Sequence, residues 1–315
     1  MYCISVNKEV LDYNTILSNC GVGVASNQDV IKNIINLEEF YDSSQLVSIY
    51  NYFLMNIEDI DLLVQIIKLT DAHRAASTLA VLLELLQIKT DELDENLVKL
   101  RVMCIKAIAN YKDNSTVVIL LDCMNNKKEH YKVRLACADA LGRIGDRYAV
   151  KPLIDLVEDE EEKSVYLKES ATFALGLLGD ISAIDPLVSI LEAKHGFLGK
   201  FSFLKEKIVE ALGKLNCNNK KVISALKNSL MDSSPMVRIN AIEAIMNSEE
   251  EDAVDLIRPS LQDDDDEVKK NALIALYNLI GRDILDEILE LPIYSQYLKD
   301  EAIELINEYE VDENE

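Results

Sequence analysis

The 315-residue chain has no tryptophan, only 10 glycines and only 5 prolines. Aromatic residues make up 6% of it, too few for an obvious aromatic cage or a platform on which bases could stack. The scarcity of glycine and proline, beside many Leu, Ile, Ala, Glu and Lys, favours helices throughout. Because 49% of the residues are hydrophobic, the chain can still bury a large interior.

Basic residues are also scarce, with 32 Lys and Arg against 56 Asp and Glu and a net charge of −24. This balance argues against nucleic acid or an anionic membrane as the main partner, because phosphate binding needs clustered cations. Residues 249–315 carry 22 acidic and 5 basic side chains, whereas residues 190–248 carry 5 and 9. Such a field can steer a basic partner to the acidic end. An acidic end that only maintains solubility is the alternative.

Signals for export, membrane insertion and disulfide formation are missing. The six cysteines form no CxxC pair and no dense framework. The first thirty residues lack the basic start and apolar run of a signal peptide. No stretch approaches the roughly 18 uninterrupted apolar residues of a membrane span. We therefore expect no membrane contact and a location in the reducing cytoplasm.

An internal repeat dominates the sequence, and its clearest unit is VRLACADALGRIGD at Val133–Asp146. The unit recurs around a basic residue, here called the marker, at intervals of 27 to 37 residues. Small or apolar residues at marker +3, +6, +7 and +10 follow the helical period and predict one buried stripe. Alanine at +6 lets two helix backbones approach closely, and a following glycine ends the helix. The markers are Arg74, Arg101, Arg134, Lys168, Lys205, Arg238, Lys269 and Lys299.

A second amphipathic segment precedes each marked helix. Residues 149–154, AVKPLI, match residues 183–188, AIDPLV, and in both the proline lies near a predicted helix start. Each unit is thus a helical hairpin, and stacking the hairpins buries their apolar faces in a continuous core. The pattern predicts an all-α solenoid of about seven to eight hairpins at residues 57–315. Residues 1–56 are expected to form an N-terminal helical cap, with helices at 29–40 and 45–55.

The complete pattern, Ala-Val-x-Pro-Leu-Ile followed by Val-Arg-x-x-Ala-x-x-Ala-Leu-Gly-x-Ile-Gly-Asp, resembles the HEAT-like repeat first associated with phycobilisome lyases. The resemblance covers residues 57 to 309 and implies a ladder of ion pairs linking neighbouring units. In that ladder an acidic residue stands six positions before the marker. Lys128, Gly199 and Ile293 occupy the acidic position in three units, where we expect interruptions. The expected pairs are Glu95/Arg101, Glu162/Lys168, Asp232/Arg238 and Asp263/Lys269.

Catalytic chemistry finds little support in the sequence. HEAT-like deoxyhypusine hydroxylases need paired His-Glu motifs for a di-iron centre, and His73, His130 and His195 stand in no such pair. Gly21-Val22-Gly23 lacks the flanking strand of a phosphate-binding loop. The acidic runs lack the spacing of a calcium-binding EF-hand. We expect no enzymatic activity, no cofactor and no metal site.

The most suggestive surface lies on the second helices, which line the concave side of HEAT arrays. Their +2, +5 and +9 positions point away from the buried stripe. Phe173 and Leu177 occupy +5 and +9 of one helix, and an apolar centre with a charged rim is typical of a binding hot spot. The alternative is that Phe173 packs between neighbouring helices. The expected rim consists of Asp139, Arg143, Glu210 and Lys214.

The longest interval between markers contains the turn at residues 194–203, with Phe197, Phe201 and Phe203. Extra length in one turn of a solenoid often serves binding. The alternative is that these aromatics cover the helix ends. The leading hypothesis is a non-catalytic scaffold that binds another protein, for instance as an inhibitor of a basic partner. A phycobilin lyase subunit, suggested by the repeat resemblance, and an assembly chaperone are the alternatives.

Overall fold

The computed structural model describes residues 11–88, 94–192, 202–215, 219–248 and 250–312. Within these ranges all regular structure is helical, with eighteen α-helices and short 3-10 turns. The chain divides into two compact units, residues 1–140 and 141–315, with the boundary inside α8. The first unit contains α1 Tyr13–Asn19, α2 Asn27–Asn36, α3 Ser43–Asn56, α4 Ile60–Leu69, α5 Ala76–Leu86, α6 Glu95–Tyr111, α7 Val117–Asn125 and most of α8 Tyr131–Ile144. The second contains α9 Val150–Glu158, α10 Val165–Leu178, α11 Ile184–Glu192, α12 Ser202–Lys214, α13 Lys220–Ser229, α14 Pro235–Met246, α15 Ala253–Ile257, α16 Asp266–Ile280, α17 Asp283–Glu290 and α18 Gln296–Asp312.

These helices form the predicted all-α solenoid. Seven hairpins follow one another from α5/α6 to α17/α18, and the marker lies on the second helix of each hairpin from α6 onward. The two helices expected near the N terminus are present as α2 and α3.

Local capping explains where the helices begin and end. Asp146 and Asp180 each accept a backbone N–H, from Tyr148 and Ser182, and a 3-10 turn then leads into α9 and α11. Gly145 and Gly179 have φ angles of +85° and +66°, so glycine supplies the left-handed backbone that terminates α8 and α10.

The glycine that directly follows the Ala-Leu pair has a different role, because it lies inside the helix. A Cβ atom on Gly142 of α8 would lie only 2.7 Å from the Cα of Ala174 on α10. Gly176 stands in the same relation to Ala211 of α12. The predicted close approach of second helices therefore exists, with glycine on one helix and the +6 alanine on the next. The +6 alanines are at most 9% exposed, and they are Ala107, Ala140, Ala174, Ala211, Ala244 and Ala275.

The copy assigned to Arg74 does not match the buried face of its helix, α5, which is the first helix of its hairpin. Its +6 alanine, Ala80, is exposed, because the buried side of α5 is set by Leu79, Leu82 and Leu86. Arg74 itself donates to the carbonyl oxygen of Asn110 at 2.6 Å. The position of the leucines, and not that of the basic residue, determines which face of this helix is buried.

The marker side chains have a structural task within their own hairpin. Each of four donates to a carbonyl oxygen at or near the end of the hairpin's first helix, where helix carbonyls lack partners and the helix dipole is negative. The donor and acceptor residues are Arg101 and Leu86 (2.9 Å), Arg134 and Met124 (2.7 Å), Lys168 and Val157 (3.0 Å), and Lys299 and Leu289 (3.4 Å).

An ion-pair ladder also exists, but its direction differs from the expected one. Three markers pair with an acidic residue of the following hairpin. The interruption expected at Lys128 does not occur, since the adjacent Glu129 accepts from Arg101. Glu95 pairs instead with Lys132 (2.8 Å). The ladder pairs are Arg101–Glu129 (2.7 Å), Lys205–Asp232 (2.6 Å) and Arg238–Asp263 (2.7 Å).

Two markers lack an acid at the corresponding place in the following hairpin. Lys269 pairs with Asp266 of its own helix at 2.7 Å, where the following hairpin has Ile293. Lys168 is 1% exposed and donates to the carbonyl oxygens of Val157 and Asp159. Burial lowers the pKa of Lys168, although the nearby acids Asp159 and Glu162 oppose this shift. Gly199, where the sequence predicts an interruption before Lys205, lies outside the described residues.

The Gly142→Ala variant tests the close helix approach. The new Cβ meets backbone, not a flexible side chain, so we expect the free energy of unfolding to fall by about 1–3 kcal/mol. Chemical denaturation followed by circular dichroism measures this change. The matched control is Ser189→Ala on the exposed face of α11, which should alter stability by less than about 0.5 kcal/mol. Equal effects of the two substitutions would contradict the proposed packing.

The Arg238→Met variant tests the ladder. Arg238 and Asp263 side chains are only 13% and 14% exposed, so removing the guanidinium leaves a poorly solvated carboxylate and should cost about 3 kcal/mol. The control is Lys221→Met, which breaks a Lys221–Asp185 pair whose side chains are 64% and 68% exposed and should cost less than about 1 kcal/mol. Urea unfolding distinguishes the two, and a cost below 1 kcal/mol for Arg238→Met would rule out a stabilising ladder.

Candidate protein-binding surface

The second helices of the second unit, α10, α12, α14, α16 and α18, contact one another in that order. The helical period turns marker positions −2, +2, +5 and +9 away from the buried stripe. Residues at one of these positions on successive helices form what we call a row. The −2 row consists of Tyr166, Phe203, Met236, Glu267 and Tyr297, and the +5 row of Phe173, Glu210, Glu243, Ile274 and Glu304.

Phe173 is half-buried and covered by charged neighbours from α12. The ammonium of Lys214 lies 4.5 Å from the centre of its ring, within cation–π range. Glu210 accepts from Lys207 at 2.8 Å and from Lys214 at 2.6 Å. Burial raises the pKa of the Glu210 carboxyl, but these two hydrogen bonds outweigh it and hold the pKa below its usual value. The structure therefore joins Phe173, Glu210 and Lys214 in one cluster.

The other predicted hot-spot residues are Leu177, Arg143 and Asp139. Leu177 is exposed on the same helix as Phe173, one turn further on. Arg143 is exposed near the end of α8, and Asp139 is half-buried in the first unit. Phe173 contacts Lys214 and keeps part of its side chain accessible, so its role as the centre of a binding site stays a prediction.

The −2 row carries larger exposed apolar side chains than the predicted centre. Tyr166, Phe203 and Met236 are 68%, 64% and 50% exposed. The positions +2, +5 and +9 do not include Tyr166 and Met236, which are at −2. Position −2 nevertheless lies one helical turn before +2 on the same face. Reading that position down the aligned repeats would have found them.

Phe203 was singled out as part of the long turn. It lies instead in the first turn of α12, where its exposed ring belongs to the −2 row. Phe197 and Phe201, predicted with it, lie outside the described residues.

A polar groove of about 490 Å³ runs between α12 and α14. Gly213 and Ala244, the pair that lets these helices approach, form part of its lining. Asparagine and glutamate side chains make the groove rich in hydrogen-bonding groups. The remaining lining residues are Glu210, Lys214, Asn240, Glu243 and Asn247.

One cluster in the first unit has the composition of a nucleophilic site. Ser43 Oγ lies 3.0 Å from His73 Nδ1, and His73 Nε2 lies 3.7 Å from Glu38 Oε1. The second distance exceeds that of a hydrogen bond, so Glu38 does not orient the imidazole as a catalytic base requires. Across the described ranges, no three or more His, Cys, Asp or Glu side chains form a group able to hold a metal ion.

The cysteines and helix lengths add two further observations. Cys20, Cys104, Cys123 and Cys137 are all free thiols. In the part of the chain that the structure describes, every helix is too short or too polar to cross a lipid bilayer.

Solved structures share this fold at low sequence identity. Kap121p bound to Nup53p has a TM-score of 0.59 at 15% identity, covering 93% of this chain and 37% of that one. Kap95p, in a structure with RanGDP, has a TM-score of 0.59 at 12% identity, covering 92% and 47%. The CpcE–CpcF complex of phycocyanin lyase from Nostoc sp. PCC7120 has a TM-score of 0.46 at 21% identity, covering 73% and 92%. This chain thus spans less than half the length of each karyopherin.

The family assignment rests on a family model as well as on the fold. No curated protein sequence matches the chain. A model of HEAT repeats matches residues 79–165, 120–198 and 203–277, which together make up more than half of the sequence. The stacked hairpins, their buried +6 alanines and this match agree, and the chain belongs to the HEAT-repeat family.

Proposed function

We propose that this protein is a non-catalytic scaffold that binds another protein through the exposed faces of its second helices. The observation that carries the proposal is the set of large apolar side chains on α10, α12 and α14, surrounded by charged groups. Exposed apolar side chains grouped within a polar rim mark interaction sites on soluble proteins. Tightly packed helices hold such side chains in place before a partner arrives, which reduces the entropic cost of association.

The related fold supports a protein partner. Kap121p and Kap95p were solved in complexes with Nup53p and with RanGDP, so proteins of this architecture bind other proteins. Fold alone does not determine function, and the proposal for this chain therefore rests on its own exposed side chains.

A basic partner fits the charge distribution. Residues 249–315 carry 22 acidic and 5 basic residues, and the exposed faces of α14, α16 and α18 include Glu243, Glu267 and Glu304. Such a field accelerates the approach of a cationic partner and weakens as salt is added. Free thiols at four cysteines suit the reducing cytoplasm that we propose as its location.

Affinity capture with the tagged protein from its native host tests the proposal. We expect the amount of captured partner to be lower at high salt than at low salt. The double variant Phe173→Ala with Leu177→Ala should lower that amount about tenfold or more, because it removes apolar contact area from the surface.

The matched control is Ile181→Ala with Met231→Ala, which removes two exposed apolar side chains in turns outside the second helices. Circular dichroism establishes that both variants are folded. Unchanged capture by the folded Phe173/Leu177 variant would refute the role of this surface.

The phycobilin lyase alternative rests on the resemblance of the repeat pattern. A lyase subunit binds a tetrapyrrole, whose absorption spectrum changes on binding. Under our proposal, phycocyanobilin has the same absorption spectrum when it is mixed with the folded protein as when it is mixed with the heat-denatured protein. A spectral shift specific to the folded protein would favour the lyase alternative.

A further inference from the structure

The −2 row changes character along the second unit. Tyr166, Phe203 and Met236 present exposed apolar side chains on α10, α12 and α14. The next member, Glu267 on α16, is exposed and acidic. Three apolar positions are thus followed by one negative charge.

The helices that carry this row are fixed in register. Gly176 packs on Ala211, and Gly213 on Ala244, so that α10, α12 and α14 align at corresponding positions. Close to the row, Glu206 of α12 accepts from Ser234 Oγ at 3.2 Å and from Asn240 Nδ2 at 3.1 Å. Because these contacts tie α12 to α14, the row presents a pre-organised series of side chains.

The spacing of the row selects a type of backbone. Packed helices lie about 8–10 Å apart, and an extended polyproline II segment returns to the same face every three residues, after about 9 Å. An α-helix returns to one face after about 5.4 Å, so about half of the side chains on that face would fall between successive second helices. An extended segment can therefore place every third side chain on a successive second helix.

Charge determines the next position. Across the described residues, Glu267 and Glu243 have no ion-pair partner, whereas Glu301 pairs with Lys270 at 2.8 Å. A segment that crosses from Met236 on α14 to Glu267 on α16 therefore meets a carboxylate able to pair with a cation. A lysine or arginine at this point of the segment would pair with it.

We propose that the −2 row is the docking site for an extended segment of another protein. Every third residue of that segment faces the row. Three of these residues in succession are apolar, and the next one is a lysine or arginine. This inference rests on the proposed function and specifies how the partner is recognised.

Fluorescence anisotropy with a labelled peptide, Leu-Pro-Ser-Leu-Pro-Ser-Leu-Pro-Ser-Arg-Arg, tests the proposal on the full chain. The peptide and its reversed sequence cover both chain directions. We expect one of them to bind, and Phe203→Ala with Met236→Ala to weaken the binding about tenfold or more. Glu267→Gln should weaken it less and reduce its dependence on salt, because one screened charge pair is lost.

Two controls match these variants in residue type. Met231→Ala removes a methionine that is exposed outside the row, and Glu290→Gln neutralises an exposed carboxylate on α17, a first helix. Both should bind the peptide as the wild type does. Thermal denaturation verifies that all four variants fold.

Three results would overturn the inference. They are the absence of binding by either peptide, equal loss in the row variants and their controls, and tighter binding of a helical peptide whose leucines recur every seventh residue. Capture of a partner from the native host can still depend on Phe173 and Leu177 in that case. The −2 row is then ruled out as the docking site, and the proposed function remains supported.

Discussion

The close approach of neighbouring second helices is the constraint on which the rest of this structure depends. In α8, α10 and α12 a glycine two residues beyond the +6 alanine lets the next helix place its own +6 alanine against bare backbone, as at Gly142 and Ala174. Any larger side chain at that glycine would separate the helices and lose dispersion contacts along the whole seam. Because the contact is so short, it also sets the register of one helix on the next. Regular rows on the exposed face are a consequence of that register.

The basic markers stabilise the hairpins by a second interaction, at the end of the first helix. A buried cation is costly unless it is well supplied with acceptors. Five markers obtain acceptors from carbonyls near the end of the first helix or in the turn after it, and some also pair with an acid of the following hairpin. Arg238 has both, since it donates to the carbonyl of Asp232 and to the carboxylate of Asp263. Lys168 donates to carbonyls, and its lowered pKa reflects its burial. The ladder therefore adds to a capping interaction that is complete without it.

Periodic burial explains what the sequence predicts well. The +3, +6 and +7 positions repeat with the helix, so the stripe through Ala174, Ala211 and Ala244 and the hairpin architecture follow from the pattern alone. The Arg74 copy is misplaced because a charged residue identifies a repeat by similarity, whereas leucines decide which face is buried. The sequence also does not predict the direction of the ladder, because spacing within a unit does not reveal which neighbouring hairpin a long side chain reaches. Likewise, the pattern places Phe173 on the exposed face but cannot show that Lys214 lies over its ring.

The two apolar features of the exposed face differ in what a partner must displace. At Phe173 the ring already has a cation over it, and Lys214 is also bonded to Glu210, so a partner must compete with an internal network. Tyr166, Phe203 and Met236 are each at least half exposed, and burial there releases water without breaking an ion pair. A partner that makes first contact along this row therefore gains apolar burial at once. The Phe173 cluster lies about two turns further along the same helices, and we propose that it favours partners whose charges can replace those of Lys214 and Glu210.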